Sequence, residues 1–389
     1  MTLVVQAMTA MALAVPSVLA PVAAGDFGVE PTRVGLWAGA AFLTAMFAGL
    51  ACGTLVGRYG PVRMFQAAAS CVTVGIVAGA AGSLPLLFLG AVLLGAAHGF
   101  VNPASSTILA AATPARMRAM VFSIKQTGVP LGAAAAGVLL PLLLLRTDWP
   151  HALVVLALAS ACVVPLVAPF RRRYDGGARR EHPLRLRSVV APIAEVWNDR
   201  PVLALAVTSG VYSCVQTSFL TYLVSYLKLG LGYTLVTAGS LFAASQLCGV
   251  AGRVAWGALA DRRVPARPLL ALLGVLMSLC GFAAILFDPG WPVGLVLAVC
   301  VLYGATAVGW NGVYLAEVAR LAPEGRIATV TGGTQFFTFA GGLVGPPAFG
   351  TLVAAAGSYG YGFGLIAVLP LVNAAWLLVP ETRTARSGT

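Results

Sequence analysis

The sequence is short of charge, and shorter still of acid. Asp, Glu, Lys and Arg make up only 9% of its 389 residues, with 12 acidic side chains against 24 basic ones. Soluble domains carry about a quarter of their residues as charge, so this chain falls outside that class. Its 7 cysteines are odd in number, lie inside apolar runs and form no CxxC pair. That leaves neither a disulfide framework nor a zinc site. A Walker phosphate loop, a nucleophile constellation and a metal-ligand cluster are also missing from the sequence, which argues against an enzyme, a cofactor and ATP as an energy source.

What is present is apolar: 59% hydrophobic residues and a mean hydropathy of +0.91. The chain reads as an integral membrane protein. Runs long enough to cross a bilayer lie near 3–24, 34–56, 65–83, 86–111, 119–145 and 149–169, and again near 202–227, 235–258, 268–287, 292–316, 328–355 and 363–379. The 45 glycines and 24 prolines suit packed membrane helices, where small residues let backbones approach and neighbours satisfy broken hydrogen bonds. The first run matches a signal peptide in length but lacks a basic leader, so it reads as a retained first helix or as a start codon placed too late.

Residues 170–200 separate the two sets as a basic connector, with Arg171, Arg172, Arg173, Arg179, Arg180 and Arg185 among its arginines. Arginine-rich loops resist translocation, which places this connector in the cytoplasm. Leu184 to Trp197 has the pattern of an amphipathic helix on the membrane surface. The formal net charge of +12 is distributed to match: outside the apolar runs only Arg33, Arg146 and Lys228 fall on the other side. Both termini are then cytoplasmic in a multi-pass protein of the inner membrane, and nucleic acid is not an expected partner.

The halves repeat. A shift of 209 residues superposes Asn102 on Asn311, Pro114 on Pro323, Gln126 on Gln335 and Gly132 on Gly341, with ten identities in forty positions. A shift of 204 superposes Gly53 on Gly257, Arg58 on Arg262 and Pro61 on Pro265. Duplicated six-helix units suit a transporter, because two similar halves can rock about a site between them.

The repeated loop carries a family resemblance. Gly257-Ala-Leu-Ala-Asp261-Arg262 resembles the G-x-x-x-D-R core of the signature loop of the major facilitator superfamily. The first copy keeps Gly53 and Arg58 but has Gly57 in place of the aspartate. The resemblance implies an all-α membrane protein of twelve transmembrane helices in two pseudo-symmetric six-helix bundles, residues 1–169 and 201–389, working as a monomer by alternating access. In such a loop Asp261 latches one face shut against a helix N-terminus or an arginine; the plainer alternative is a tight turn with topogenic arginines.

Charges inside the spans are few: Lys125, Arg253 and the titratable His98, with no acidic residue at mid-span and Glu317 at the inner end of the tenth. A buried cation costs roughly 2.5–3.5 kcal/mol on insertion scales and seeks a partner. Here that partner is expected to be the substrate. Lys125 lies roughly 9 Å inside the span at 1.5 Å per residue, close enough to snorkel, while Gly128, Pro130 and Gly132 after it loosen the helix. Arg253 resembles the carboxylate-binding arginine of the monocarboxylate and oxalate–formate branches, and the competing reading pairs it with Asp261 or Glu317. In the superfamily fold the two cations come from neighbouring spans and form one positive patch. His98 is a candidate carrier of a coupling proton, or a hydrogen-bonded core histidine.

Tyr212 and Gln216 share a face of the seventh span with Phe219 and are candidate lining residues. Asn102, Gln126, Asn311 and Gln335 complete the candidate substrate site, with Gln246, Trp310 and Phe336 as weaker lining candidates. The expected function is secondary active transport of a small organic anion, driven by proton symport or anion exchange. Efflux of hydrophobic compounds, and a non-transporting sensor or assembly factor on the same fold, are the alternatives.

Overall fold

A chain this apolar must satisfy its backbone within itself, and helices are the economical solution in lipid. The computed structural model describes residues 1–114, 117–177, 187–262, 264–323 and 326–379, with the backbone alone for residues 118, 119, 187–191, 261, 262, 327 and 328. Among the described residues, twelve helical spans are long and apolar enough to cross a membrane. The first six are Thr2–Phe27, Pro31–Tyr59, Pro61–Ala80, Leu84–Ala112, Met120–Leu143 and Trp149–Tyr174. The second six are Arg200–Gly230, Leu235–Ala260, Ala266–Ile285, Val293–Leu321, Thr329–Ala356 and Tyr359–Leu378. Each expected span is present, with ends displaced by a few residues.

Contacts sort the spans into two bundles. Within the first, the second span packs on the fourth and the first on the fifth; within the second, the seventh packs on the eleventh and the eighth on the tenth. The bundles meet where the second span crosses the eleventh, the fifth crosses the eighth and the first crosses the seventh. Small residues make this possible. A Cβ added to Gly137 of the fifth span would meet Phe242 at 2.7 Å and the carbonyl oxygen of Gly239 at 2.8 Å, both on the eighth.

One face of the molecule carries the connector and the other does not. On the face without it the bundles are sealed. The Tyr222 hydroxyl shares its proton between the carbonyls of Thr32 in the first bundle (2.6 Å) and Pro346 in the second (3.0 Å), and the ring stacks on Phe349 at 4.5 Å. Toward the connector face the bundles separate. Gly49 still lies within contact of the Phe339 ring, but one turn further along, Gly53 has open space beside it, as have Gly257 and Gly332. The close packing found beside Tyr222 is not repeated beside these glycines.

The connector begins by capping the third span. Gly60 adopts a left-handed φ of 92°, and the Asp175 carboxylate accepts hydrogen bonds from the first free amides of that helix, Val62 (2.8 Å) and Arg63 (3.2 Å). The expected amphipathic helix forms over Arg187–Asn198, although residues 184–186 lie outside the described chain. Its surroundings are more than lipid headgroups. Val196 and the Pro192 carbonyl press on Gly333 of the eleventh span, Trp197 stacks on Phe337, and Glu195 pairs with Arg326 at 2.7 Å.

Candidate functional site

The fifth span is not one continuous helix. It runs as Arg118–Gln126, is interrupted at Thr127 and resumes over Gly128–Leu143. Pro130 explains the local chemistry. It has no amide proton, so the carbonyl four residues earlier, that of Gln126, lacks its helical donor. The tenth span is broken likewise, between Val293–Ala307 and Asn311–Leu321, and the Val308 carbonyl sits in that break.

Arg253 of the eighth span is held by these two carbonyls. Its Nε donates to Val308 at 3.0 Å and its Nη1 to Gln126 at 2.8 Å. The first bond stays within the second bundle, whereas the second crosses to the first. The guanidinium is thus a tie between the halves, made to neutral oxygen.

Lys125 is enclosed, with 4% of its surface exposed. Its ammonium donates sideways to Asn102 Oδ1 of the fourth span at 2.5 Å and to Gln126 Oε1 at 3.2 Å. The snorkelling alternative does not hold. Charge-assisted bonds of this kind contribute about 1.5–3 kcal/mol each and offset the burial, but they leave the positive charge uncancelled.

Neither cation forms an ion pair among the described residues. Glu317, one of the acids considered for Arg253, is committed to Arg320 through both carboxylate oxygens, at 2.6 and 2.7 Å. The side chain of Asp261, the other, lies outside the described chain.

One helical turn from Asn102, His98 faces two phenylalanines. Its ring lies 6.3 Å from Phe42 of the second span and 6.0 Å from Phe339 of the eleventh, both edge-on, and its Nδ1 is buried without a hydrogen-bond partner among the described residues. Phe339, Ala45 and Met46 form a small apolar cluster between the bundles, flanked by half-buried Phe42 and Phe336.

On the seventh span, Gln216 accepts hydrogen bonds from Trp310 Nε1 (3.0 Å) and Asn311 Nδ2 (3.3 Å) of the tenth. Tyr212 belongs elsewhere: fully buried, it donates to the Leu270 carbonyl of the ninth span and meets Trp310 edge-on. Helical spacing put it beside Gln216, but its hydroxyl points into the second bundle and packs there. Phe219, Tyr222 and Gln246 are likewise fully buried, whereas Gln335 and Phe336 are half-exposed. Sequence reasoning passed over Gln6. It is fully buried in the first span, its Cβ and Cγ lie close to Gly128, and both amide atoms lack partners among the described residues. A lone glutamine in an apolar run was the available signal.

The family model of the Major Facilitator Superfamily matches residues 2–346. The chain belongs to the major facilitator superfamily. Its superfamily relatives include an uncharacterized MFS-type transporter of Mycobacterium tuberculosis, 30% identical over 84% of this chain and 73% of that one. The 4-hydroxybenzoate transporter PcaK of Pseudomonas aeruginosa is 27% identical, over 80% and 76%. The hexuronate transporter of Bacillus subtilis is 22% identical, over 89% and 85%. Among solved structures, a bacterial homolog of the human lysosomal transporter Spinster superposes with a TM-score of 0.79 at 16% identity, covering 97% of this chain and 94% of that one. The protein is a multi-pass membrane transporter of this superfamily and not an enzyme.

The superfamily's signature loop is only partly in view. Gly53 is exposed at the connector face, and Arg58 lies over the Tyr59 ring at 5.6 Å with its Nε buried and without a hydrogen-bond partner among the described residues. Gly257 is half-buried, and the side chains of Asp261 and Arg262 fall outside the described residues, so the expected latch is untouched by these contacts.

Proposed function

We propose that the protein moves a small organic anion, a carboxylate, across the inner membrane by alternating access. The observation that carries this reading is a pair of cations, the buried Lys125 and the half-buried Arg253, bonded among the described residues to neutral oxygens alone. Relatives named for hexuronate and 4-hydroxybenzoate support the same cargo class.

Arg253 commits Nε and Nη1 to carbonyls and keeps Nη2 for the cargo; Lys125 adds a second positive charge. A carboxylate binds a guanidinium as a two-pronged acceptor and outcompetes a neutral carbonyl for it. Binding therefore loosens the bond from Arg253 to Gln126, which is a contact between bundles, and biases the halves toward the alternative arrangement. Asn102, Gln126, Gln216, Asn311 and Gln335 supply neutral hydrogen-bonding groups around the charge. With the connector and termini placed in the cytoplasm, the open space beside Gly53, Gly257 and Gly332 fits an inward-facing state. Proton symport with His98 as carrier, or exchange against a second anion, drives the cycle.

Uptake into proteoliposomes tests the reading. Arg253→Ala and Lys125→Ala are each expected to lower carboxylate flux by roughly ten- to a hundred-fold, the scale of removing one charged partner. Unchanged flux in both variants would overturn the anion assignment. In the same assay, pH-gradient-driven flux that survives His98→Gln removes His98 as the proton carrier.

A further inference from the structure

The cations account for one end of a cargo and leave its body unassigned. Next to them stands a wall of rings drawn from three spans and both bundles: Phe42, His98 and Phe339, each pair of centroids 6.0–6.3 Å apart. His98 and Asn102 are one turn apart on the fourth span, so the wall begins about 6 Å along the axis from the residue that holds Lys125. That is the reach of a single six-membered ring attached to a carboxylate.

The wall also contains a polar group with nothing to bond. His98 is 9% exposed, and its Nδ1 has no partner among the described residues. A buried unpartnered nitrogen in an apolar setting is costly, and a ligand hydroxyl or carbonyl placed there removes the cost. Rings favour edge-to-face and offset contacts with other rings over contacts with aliphatic chains of equal area. A small inorganic anion gains nothing from such a wall.

We propose that the cargo is a ring-bearing carboxylate, its acid group at Lys125 and Arg253, its ring against Phe42 and Phe339, and a polar ring substituent at His98 Nδ1. This rests on the anion reading above and narrows it. Because Phe42 and Phe339 belong to different bundles, the ring is gripped by both halves, as the carboxylate is.

Equilibrium binding to the purified full-length protein, with probes that vary charge and ring independently, tests it. Benzoate is expected to bind at least ten-fold tighter than acetate or nitrate, and para-hydroxybenzoate several-fold tighter than benzoate. Phe339→Leu shrinks the benzoate-to-acetate ratio by roughly two- to ten-fold, the aromatic increment. His98→Phe, which keeps a ring but removes the nitrogen, abolishes the advantage of the para hydroxyl. Acetate or nitrate binding as tightly as benzoate would overturn the ring assignment and leave the anion reading standing. Phenol binding as tightly as benzoate, with Arg253→Ala making no difference, would overturn the anion reading and leave the ring pocket. If none of the probes binds, both fall.

Discussion

The two bundles share a sequence repeat, and at matching positions they do different things. Asn102 and Asn311 correspond, but the first accepts from Lys125 while the second donates to Gln216. Lys125 corresponds to Thr334, a fully buried residue that bonds its own helix at the Thr331 carbonyl. Arg253 corresponds to Gly49, and Pro130 to Phe339. Consequently the two pseudo-equivalent crossings between bundles are built from different chemistry. Where the fifth span meets the eighth, Pro130 frees a carbonyl and Arg253 takes it. Where the second meets the eleventh, the fifth-span interruption has no counterpart, the helix Ile327–Ala356 runs through, and the Phe339 ring fills the space beside Gly49. One crossing is a polar tie that an anion can compete for; the other is an apolar contact that a ring can extend. On the proposed reading, divergence between the copies gives the site a charged side and an aromatic side.

That contrast can be broken from either side. The larger effect belongs to Pro130→Ala. Restoring the amide proton gives the Gln126 carbonyl its helical donor, so Arg253 loses its exclusive claim on that oxygen. Spin labels placed across the two bundles at the connector face should show a broadened distance distribution, and carboxylate transport should fall by about ten-fold, the equivalent of one hydrogen bond of about 1.4 kcal/mol. Retention of the narrow distribution and full transport would mean that the carbonyl tie carries no energy. A smaller effect is expected on the opposite face, where both crossings converge. Tyr222→Phe removes a hydroxyl bonded to carbonyls in both halves, which costs about 1 kcal/mol of the seal. Cysteines introduced beside the seal should label a few-fold faster in that variant, and equal labelling rates would assign the seal to ring packing alone.

Much of the architecture was legible because lipid leaves few options. Runs of apolar residues of the right length become spans, and repeated residues at a fixed offset expose the duplication. Lys125 and Arg253 were legible for a related reason: in a span, a charge is conspicuous. Their partners were hidden. Nothing in residue types says that a backbone carbonyl will be the acceptor for Arg253, although Pro130, four residues after Gln126, was the clue that one would be available. Tyr212 shows the opposite limit. Helical periodicity assigned it a face shared with Gln216, but whether a tyrosine hydroxyl turns toward a cavity or toward Leu270 of a neighbouring helix depends on packing that the spacing does not encode. The Phe42–His98–Phe339 wall was invisible for the same reason, since its members lie on three helices far apart in the chain.

Placing a fixed negative charge in the site reads most directly whether its cations go without one. Asn102→Asp changes the acceptor of Lys125 from an amide oxygen to a carboxylate with almost no change in shape. Measured by thermal melting and carboxylate titration of the purified variant, the unliganded protein should become more stable and its affinity for benzoate should drop by more than about ten-fold, the loss expected when one binding charge is neutralised. Unaltered affinity, with no gain in melting temperature, would contradict the account.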